Sequence, residues 1–260
     1  MAMSEKDKKG ALLIVLVLGA LLAVVAMKLV IGTPPKAGPD GCIGSVAAST
    51  VIVLDHSETL PEQTRNEIEA RAIAHASEKA QANERVTVFT VSDLSKKSLV
   101  PVFSRCKPKR EGNRAYEDVR GIEKTFKRDF LDPLRNILKT IPGNAKESPI
   151  AQALVDISLT QYLRSERNTL LVFSDMLEHT SKFSLYTCVD AKNAIALFRE
   201  SRKGAQERPK FQQTSVSLHM IPRNDISKST LKCRDQVWEW FFGDNQGNWA
   251  RSDIDYLPGA

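Results

Sequence analysis

Three oxygen-bearing side chains stand directly after an apolar, mostly β-branched run in the sequence VIVLDHSETL, residues 51–60. Asp55, Ser57 and Thr59 occupy alternate positions beyond the end of what reads as a buried strand. Carboxylate and hydroxyl oxygens in this arrangement can bind a hard cation, or they can hydrogen-bond the turn that leaves the strand. The rest of the chain must supply the groups that meet them.

Two further residues are predicted to reach the same edge of the sheet. Asp175 follows a second buried strand, TLLVF at 169–173, and Ser148 stands at the start of a predicted helix. In open α/β sheets, ligands bind beyond the carboxyl ends of the strands, so we expect these groups to converge. An all-oxygen set with few charges suits Mg²⁺, or Mn²⁺ or Ca²⁺ in its place. The predicted metal ligands are Asp55, Ser57, Thr59, Ser148 and Asp175.

Each of these residues also has an explanation that needs no metal. Ser148 precedes a proline, and this pair is an ideal N-cap followed by a favoured first helical residue. Ser57 and Thr59 can hydrogen-bond the turn after the strand. Two acids at neighbouring strand ends are harder to explain, because they repel unless a cation or hydrogen-bond donors intervene. His56 and His179 fall near the same rim, and we expect exposed loop residues there rather than ligands.

The elements that must position these residues alternate between strands and helices. Such alternation predicts an α/β fold with a doubly wound, mostly parallel sheet and helices on both faces. Residues 92–97 are predicted to join two strands in a hairpin, which gives one antiparallel strand at the edge. The predicted strands are 46–54, 85–91, 98–103, 169–173 and 214–221, and the predicted helices are 62–82, 113–140 with a break at Pro133, 150 onward, 187–201 and 230–242.

The amino-terminal segment is uncharged from Gly10 to Met27 and lacks a polar stripe. About 20 apolar residues span a bilayer as a helix, so we predict a transmembrane signal-anchor at 10–31; a cleaved signal peptide is the alternative. Lysines before the span indicate that residues 1–9 stay in the cytoplasm. A Pro/Gly linker at 32–41 then leads to a domain at 42–260. In a bacterium the protein would be a single-pass inner-membrane protein with this domain in the periplasm.

Charge and motif content argue against several function classes. The net charge of +6 is a mild excess, whereas nucleic-acid-binding domains usually concentrate far more, so nucleic acid is not an expected partner. The sequence has no P-loop, G-x-S-x-G or H-E-x-x-H motif. A phosphatase of the haloacid dehalogenase class also begins with a strand and an aspartate, but it needs an acid where Ser57 stands. We therefore predict that the protein is not an enzyme.

Three motifs taken in order resemble the von Willebrand factor A domain. They are D-x-S-x-T after the first strand, S-P-I-A-Q-A-L opening a central helix, and L-L-V-F-S-D ending the next strand. The order of elements agrees over most of 46–242. The resemblance implies a metal-ion-dependent adhesion site, in which the hydroxyls matching Ser57, Thr59 and Ser148 bind the ion directly. The acids matching Asp55 and Asp175 bind it through water, and a carboxylate of a partner protein takes the sixth position.

The sequence departs from that family's pattern at three positions. Thr59 stands where serine is usual and Ser148 where threonine is usual, and both keep a hydroxyl. Met176 replaces the glycine that normally follows the second acid, so we expect the loop after Asp175 to take a different path.

The chain has four cysteines and no C-x-x-C pair or zinc-type spacing with histidine. In an oxidising compartment they can form two disulfides, and four buried thiols are the alternative. Of the three possible pairings, the strand order of the A domain implies Cys42–Cys106 at the lower end of the sheet and Cys188–Cys233 at the upper end.

These features together predict a membrane-tethered, extracytoplasmic binding module. It would recruit a protein partner through a carboxylate at the metal site, and residues 10–31 would hold it in the membrane. The alternative is a structural subunit of an envelope complex that uses the same fold without metal.

Overall fold

The computed structural model describes residues 5–31, 36–55, 57, 59–91, 100–114, 117–140, 145–211, 213–243 and 251–258. The chain divides into two compact units, residues 1–36 and 37–260. The first contains helix α1, Glu5–Ile31, whose segment Lys9–Ala26 has a mean hydropathy of 2.6 and exposed side chains. By length and composition this helix can cross a membrane.

The second unit is built on one six-stranded sheet. Its strands are β1 Ala48–Leu54, β2 Arg85–Thr90, β3 Phe103–Cys106, β4 Arg167–Ser174, β5 Thr214–Met220 and β6 Arg251–Tyr256. They lie in the order β3-β2-β1-β4-β5-β6, and only the β2–β3 pairing is antiparallel. The predicted fold class, a mostly parallel sheet with one antiparallel edge strand, is confirmed.

Helices cover both faces of this sheet, because the central strands are apolar on both sides. Val51 and Val53 of β1 point into one buried layer, and Ile52 and Leu54 point into the other. The helices of this unit are α2 Glu62–Ala74, continued by a π-helical turn at His75–Lys79; α3 Val119–Phe126, a π-helical turn at Lys127–Leu131, and α4 Asp132–Thr140; α5 Ile150–Leu159 and a 3₁₀ turn at Gln161–Leu163; α6 Ala191–Ser201; and α7 Lys228–Phe242.

Several element boundaries differ from the sequence prediction for identifiable reasons. The edge strand was predicted at 98–103 but pairs at Phe103–Cys106, because Pro101 has no N–H to give to the ladder and pairing begins beyond it. The residues at 98–99, and the predicted hairpin at 92–97, lie outside the described residues. The break expected at Pro133 is the π-helical turn at Lys127–Leu131, just before that residue.

Two further boundaries follow from caps and composition. Helices α3 and α6 begin later than predicted, at positions where Asp118 and Asp190 accept a backbone N–H of the first turn. Strand β6 was not predicted at all. Its sequence, RSDIDY, is polar and lacks the apolar pattern of the inner strands.

Both predicted disulfides are present. Cys42–Cys106 has a Cα–Cα distance of 4.8 Å, and Cys188–Cys233 has one of 5.8 Å. Cys106 is the last residue of β3 rather than a residue beyond it, and it pairs in the sheet with the first residue of β2. Asp40, near the end of the predicted linker, accepts a hydrogen bond from the Cys106 backbone at 2.9 Å, so the folded unit begins before Cys42.

Candidate functional site

The carboxyl edge of the sheet, defined here as the ends of β1, β4 and β5 with the loops that follow them, is organised around Asp55. This aspartate is buried, and its backbone N–H donates to the Phe173 carbonyl at 2.9 Å. Its Oδ1 accepts the Ser57 N–H at 3.0 Å. Its Oδ2 accepts the hydroxyls of Ser148 at 3.1 Å and Ser174 at 2.8 Å. One carboxylate therefore joins three separate segments of the chain.

Ser148 is held by the loop after β4 and does not cap helix α5. Its backbone N–H and carbonyl pair with those of His179 at 2.7 and 3.0 Å, while its hydroxyl donates to Asp55. The first turn of α5 is capped instead by the carboxylate of Glu178, which accepts the Ala151 N–H at 2.8 Å. The N-cap interpretation of Ser148 is thus wrong, because the aspartate attracts its hydroxyl and a buried glutamate takes the helix terminus.

Glu178 was missed by the sequence reasoning. Burial raises the pKa of its carboxyl group to about 8, and the charge of Asp55 adds to the rise, while the Ala151 N–H opposes it. The sequence could have indicated Glu178 only by its place in the stretch SDMLEH, where it follows two apolar residues and Asp175 of the site. Ser174, which also binds Asp55, was noted only as the residue before Asp175.

Asp175 has partners on both of its carboxylate oxygens. Its Oδ1 accepts the Leu177 N–H at 2.9 Å, and its Oδ2 forms an ion pair with Arg223 Nη1 at 2.5 Å. Its main-chain carbonyl accepts a hydrogen bond from the buried Arg234 at 2.8 Å. Burial, together with the nearby charge of Asp55, raises the pKa of Asp175 to about 6, while the Leu177 N–H and Arg223 oppose the rise.

Met176 takes the backbone conformation that glycine would favour, with φ at 57°. The expectation that the loop after Asp175 takes a different path from that of the family stays a prediction. A left-handed residue other than glycine costs about 1 kcal/mol, and neighbouring contacts hold it in place. The Trp238 indole N–H donates to the Met176 carbonyl at 2.6 Å, and the Met176 N–H donates to Ser174 Oγ at 2.7 Å.

An open cleft of about 280 Å³ lies above these buried groups. Ser57 is half-buried, whereas Thr59 is exposed beyond it. His179 is exposed as predicted, and its ring meets Tyr186 edge-on at 5.4 Å. His56 lies outside the described residues. The residues lining the cleft are Ser57, Ala145, Lys146, Glu147, Ser148, His179 and Tyr186.

The donor set can be tested for its fit to a divalent cation. The structure brings Asp55, Ser57 and Ser148 together as predicted and places Asp175 at the neighbouring strand end. However, both oxygens of each acid already accept donors from the protein, and Asp175 is paired with a guanidinium. This set does not fit an ion bound through Asp175.

Comparison with known proteins gives structural likeness only. No protein-family model and no curated protein matches the sequence. Among solved structures, the chain is similar to the VWA domain of SpRpn10 (11% identity, 83% of this chain and 90% of that one, TM-score 0.36). It is also similar to a von Willebrand factor type A protein from Catenulispora acidiphila (9%, 83% and 39%, TM-score 0.39). A third is an aerotolerance-related membrane protein from Bacteroides fragilis (13%, 82% and 92%, TM-score 0.33).

The fold of this chain is that of a von Willebrand factor A-like domain. This statement rests on the strand order, the antiparallel edge strand and the helices on both faces, together with the place of the D-x-S-x-T, S-P-I and F-S-D segments at one edge of the sheet.

Proposed function

We propose that this chain is a membrane-tethered, extracytoplasmic module that binds a protein partner at the carboxyl edge of its sheet. The observation that carries the proposal is the open cleft over Asp55, where one buried carboxylate fixes the Ser148 hydroxyl and the Ser57 backbone N–H, which come from two loops. Loop groups that are already fixed by hydrogen bonds lose little conformational freedom on binding, which favours recognition. This location also agrees with the general place of ligand sites in open α/β sheets.

Helix α1 supports the tether. It is long and apolar enough to span a bilayer once, and Lys6, Lys8 and Lys9 precede the apolar run. Basic residues remain on the cytoplasmic side, so the folded unit would lie on the other side. Two disulfides suit an oxidising compartment such as the periplasm.

Binding rather than catalysis is the function that the residues of this edge support. Ser57 stands where a phosphatase of the haloacid dehalogenase class would need an acid to protonate the leaving group. Asp55 accepts hydrogen bonds on both oxygens, which leaves it poorly placed to attack a substrate.

The binding face can be tested by photo-cross-linking in cells. A photoreactive amino acid at Lys146, which lines the cleft, should give a discrete cross-linked protein identifiable by mass spectrometry. The control places the same group at the exposed Gln81, near the start of β2 at the opposite end of the sheet. A cross-link to the same protein from both positions, or from Gln81 alone, would contradict the proposed face.

The tether is tested separately by recovering the protein from membranes and sequencing its amino terminus. We expect residues 10–31 to be retained and the folded unit to be digested by protease added to spheroplasts. A mature protein that starts near Met27 would mean secretion, and a protected domain would mean the opposite orientation.

A further inference from the structure

We propose that Arg223 takes the place of a divalent cation at the carboxyl edge, so that this module is assembled and binds its partner without a metal ion. The inference rests on the proposed binding face and specifies how its charge is balanced. It starts from the ion pair between Arg223 and Asp175, at 2.5 Å, with both side chains about nine-tenths buried.

The chain path brings Arg223 to this position. Strand β5 runs parallel to β4, and beyond its end the Ile221 N–H donates to the Ser174 carbonyl at 2.9 Å. Arg223 follows two residues later and lies beside Asp175, which is the first residue after β4. The pairing of the two strands therefore places the guanidinium of Arg223 directly beside the Asp175 carboxylate.

All three nitrogens of the Arg223 guanidinium donate hydrogen bonds to other side chains. Its Nε and Nη2 make a two-pronged contact with Asp225, at 2.8 Å each, and its Nη1 also donates to the Tyr186 hydroxyl at 3.3 Å. The guanidinium carbon lies 5.5 Å from the centre of the Tyr186 ring. A planar fork held at both ends is a well-defined charge in a single position, which a flexible lysine would not provide.

The charge of Arg223 is also permanent. A guanidinium does not lose its proton in proteins, so a divalent cation bound at Asp175 would face a positive neighbour at close range. The carboxylate oxygens that an ion would attract, on Asp55 and Asp175, already accept protein donors. Arg234 adds a second buried arginine at the Asp175 carbonyl, so cationic groups of the protein balance this acidic edge.

Thermal unfolding of the full chain in detergent micelles tests the inference. The wild-type protein should melt at the same temperature, within about 1 °C, in EDTA, 1 mM Mg²⁺ and 1 mM Mn²⁺. The Arg223→Gln variant leaves Asp175 unpaired beside Asp55, so its melting temperature should fall by several degrees in EDTA and recover partly with either ion. The matched control is Arg208→Gln, which removes another half-buried arginine, one that donates to the Trp240 and Gly243 carbonyls.

The control should melt lower than wild type with no response to ions. If Arg223→Gln does not fold, Arg223→Lys keeps a positive charge but loses the fork to Asp225, and it should show a smaller ion-dependent rise. A melting temperature of the wild type that rises clearly with either ion would overturn the inference. So would a folded Arg223 variant whose melting temperature does not rise with ions, or an Arg208→Gln variant whose melting temperature does. If the melting temperatures respond to ions as expected but the wild-type chain gives no cross-linked product from Lys146, the proposed binding face is refuted and the role of Arg223 is not.

Discussion

The two ends of the sheet both bury charged and polar side chains, but they do so in opposite ways. At the amino edge, Thr50 donates to Glu84 at 2.5 Å, and Lys107 donates to the carbonyls of Ser77 and Ala80 at 2.7 Å each. We call Thr50, His75, Glu84 and Lys107 the amino-edge cluster. It holds one acid, Glu84, beside two basic groups, and burial lowers the pKa of both His75 and Lys107.

The carboxyl edge instead gathers three buried acids, which are Asp55, Asp175 and Glu178. Their balance comes from arginines that arrive from other segments, and an open cleft lies above them. A disulfide staples each end, Cys42–Cys106 below and Cys188–Cys233 above. The charged groups of the amino-edge cluster are balanced by one another, and such a cluster serves the stability of the fold. The acids of the carboxyl edge are balanced by arginines from other segments and lie beneath an open cleft, and such an arrangement is suited to binding.

The largest effects should come from removing the disulfides. Replacing Cys42 and Cys106 by serine releases a loop of 64 residues, and the loss of stability should be about 4 kcal/mol from the entropy of the unfolded chain. Cross-linking from Lys146 should survive in the folded protein. The Cys188→Ser, Cys233→Ser pair should cost a similar free energy but also reduce cross-linking, because Cys188 follows the Tyr186 loop. Urea unfolding measures the loss of stability. Equal cross-linking in the two double variants would contradict the expectation that only the carboxyl edge of the sheet serves binding.

A substitution at the amino-edge cluster should affect stability alone. Lys107→Met removes the donor to one buried and one half-buried carbonyl and the charge beside Glu84, and it should cost about 2–3 kcal/mol. The matched control is Lys109→Met, since Lys109 is exposed and pairs only with Glu117 among the described residues. That control should stay within about 0.5 kcal/mol of wild type in urea unfolding. Reduced cross-linking from Lys146 in folded Lys107→Met would show that the amino edge also serves the partner.

Ser148→Ala should show the reverse pattern. It removes one of the donors to Asp55 and should cost only about 1 kcal/mol of stability, because Ser174 and the Ser57 N–H remain. Cross-linking from Lys146 should nevertheless fall several-fold. Ser158→Ala, which removes a hydroxyl near the other end of helix α5, serves as the control and should cross-link like wild type. Equal cross-linking by both variants would remove Ser148 from the binding face.

The smallest effect is a pH dependence in which His219 opposes the buried acids Asp175 and Glu178. Burial lowers the pKa of His219 to about 4, so its contribution to stability is present above the unfolded value of 6.5 and is lost as pH falls towards 4. Asp175 and Glu178, whose pKa values are raised from 3.8 to about 6 and from 4.5 to about 8, contribute in the opposite sense, since each keeps in the folded state a proton that it loses in the unfolded state. After allowance for solvent screening, His219→Gln should therefore remove about 1 kcal/mol of the gain in stability between pH 4 and pH 6.5, leaving stability that falls as pH rises. Urea midpoints across this range measure it, and an unchanged slope would contradict the assignment to His219.

The sequence predicted the strands that can be recognised from a local run of residues. It did not predict the site residues that only tertiary packing brings to the carboxyl edge. The runs at 46–54 and 169–173 predicted β1 and β4 because apolar β-branched segments need no tertiary information to be recognised. The convergence of Asp55 and Ser148 followed from a general rule about strand ends. Arg223 and Glu178 could not be chosen in the same way, since many arginines and glutamates of the chain look alike in sequence and only packing selects the two that are buried here.

The same reasoning explains the error at Ser148. A serine before a proline is a good helix cap in isolation, but the buried Asp55 carboxylate offers its hydroxyl a stronger, charge-assisted hydrogen bond. Strand β6 escaped notice because its pairing with β5 runs through backbone groups, which carry no sequence pattern.

The most direct test of the account is the ion dependence of partner capture at the cleft. The full chain carrying the photoreactive group at Lys146 would be cross-linked in native membranes, once in EDTA and once in 1 mM Mg²⁺, and the yield of the partner product compared. The account predicts equal yields, because Arg223 already supplies the positive charge beside Asp175. A product formed in Mg²⁺ and lost in EDTA would contradict it and would support an ion at Asp55, Ser57, Thr59, Ser148 and Asp175.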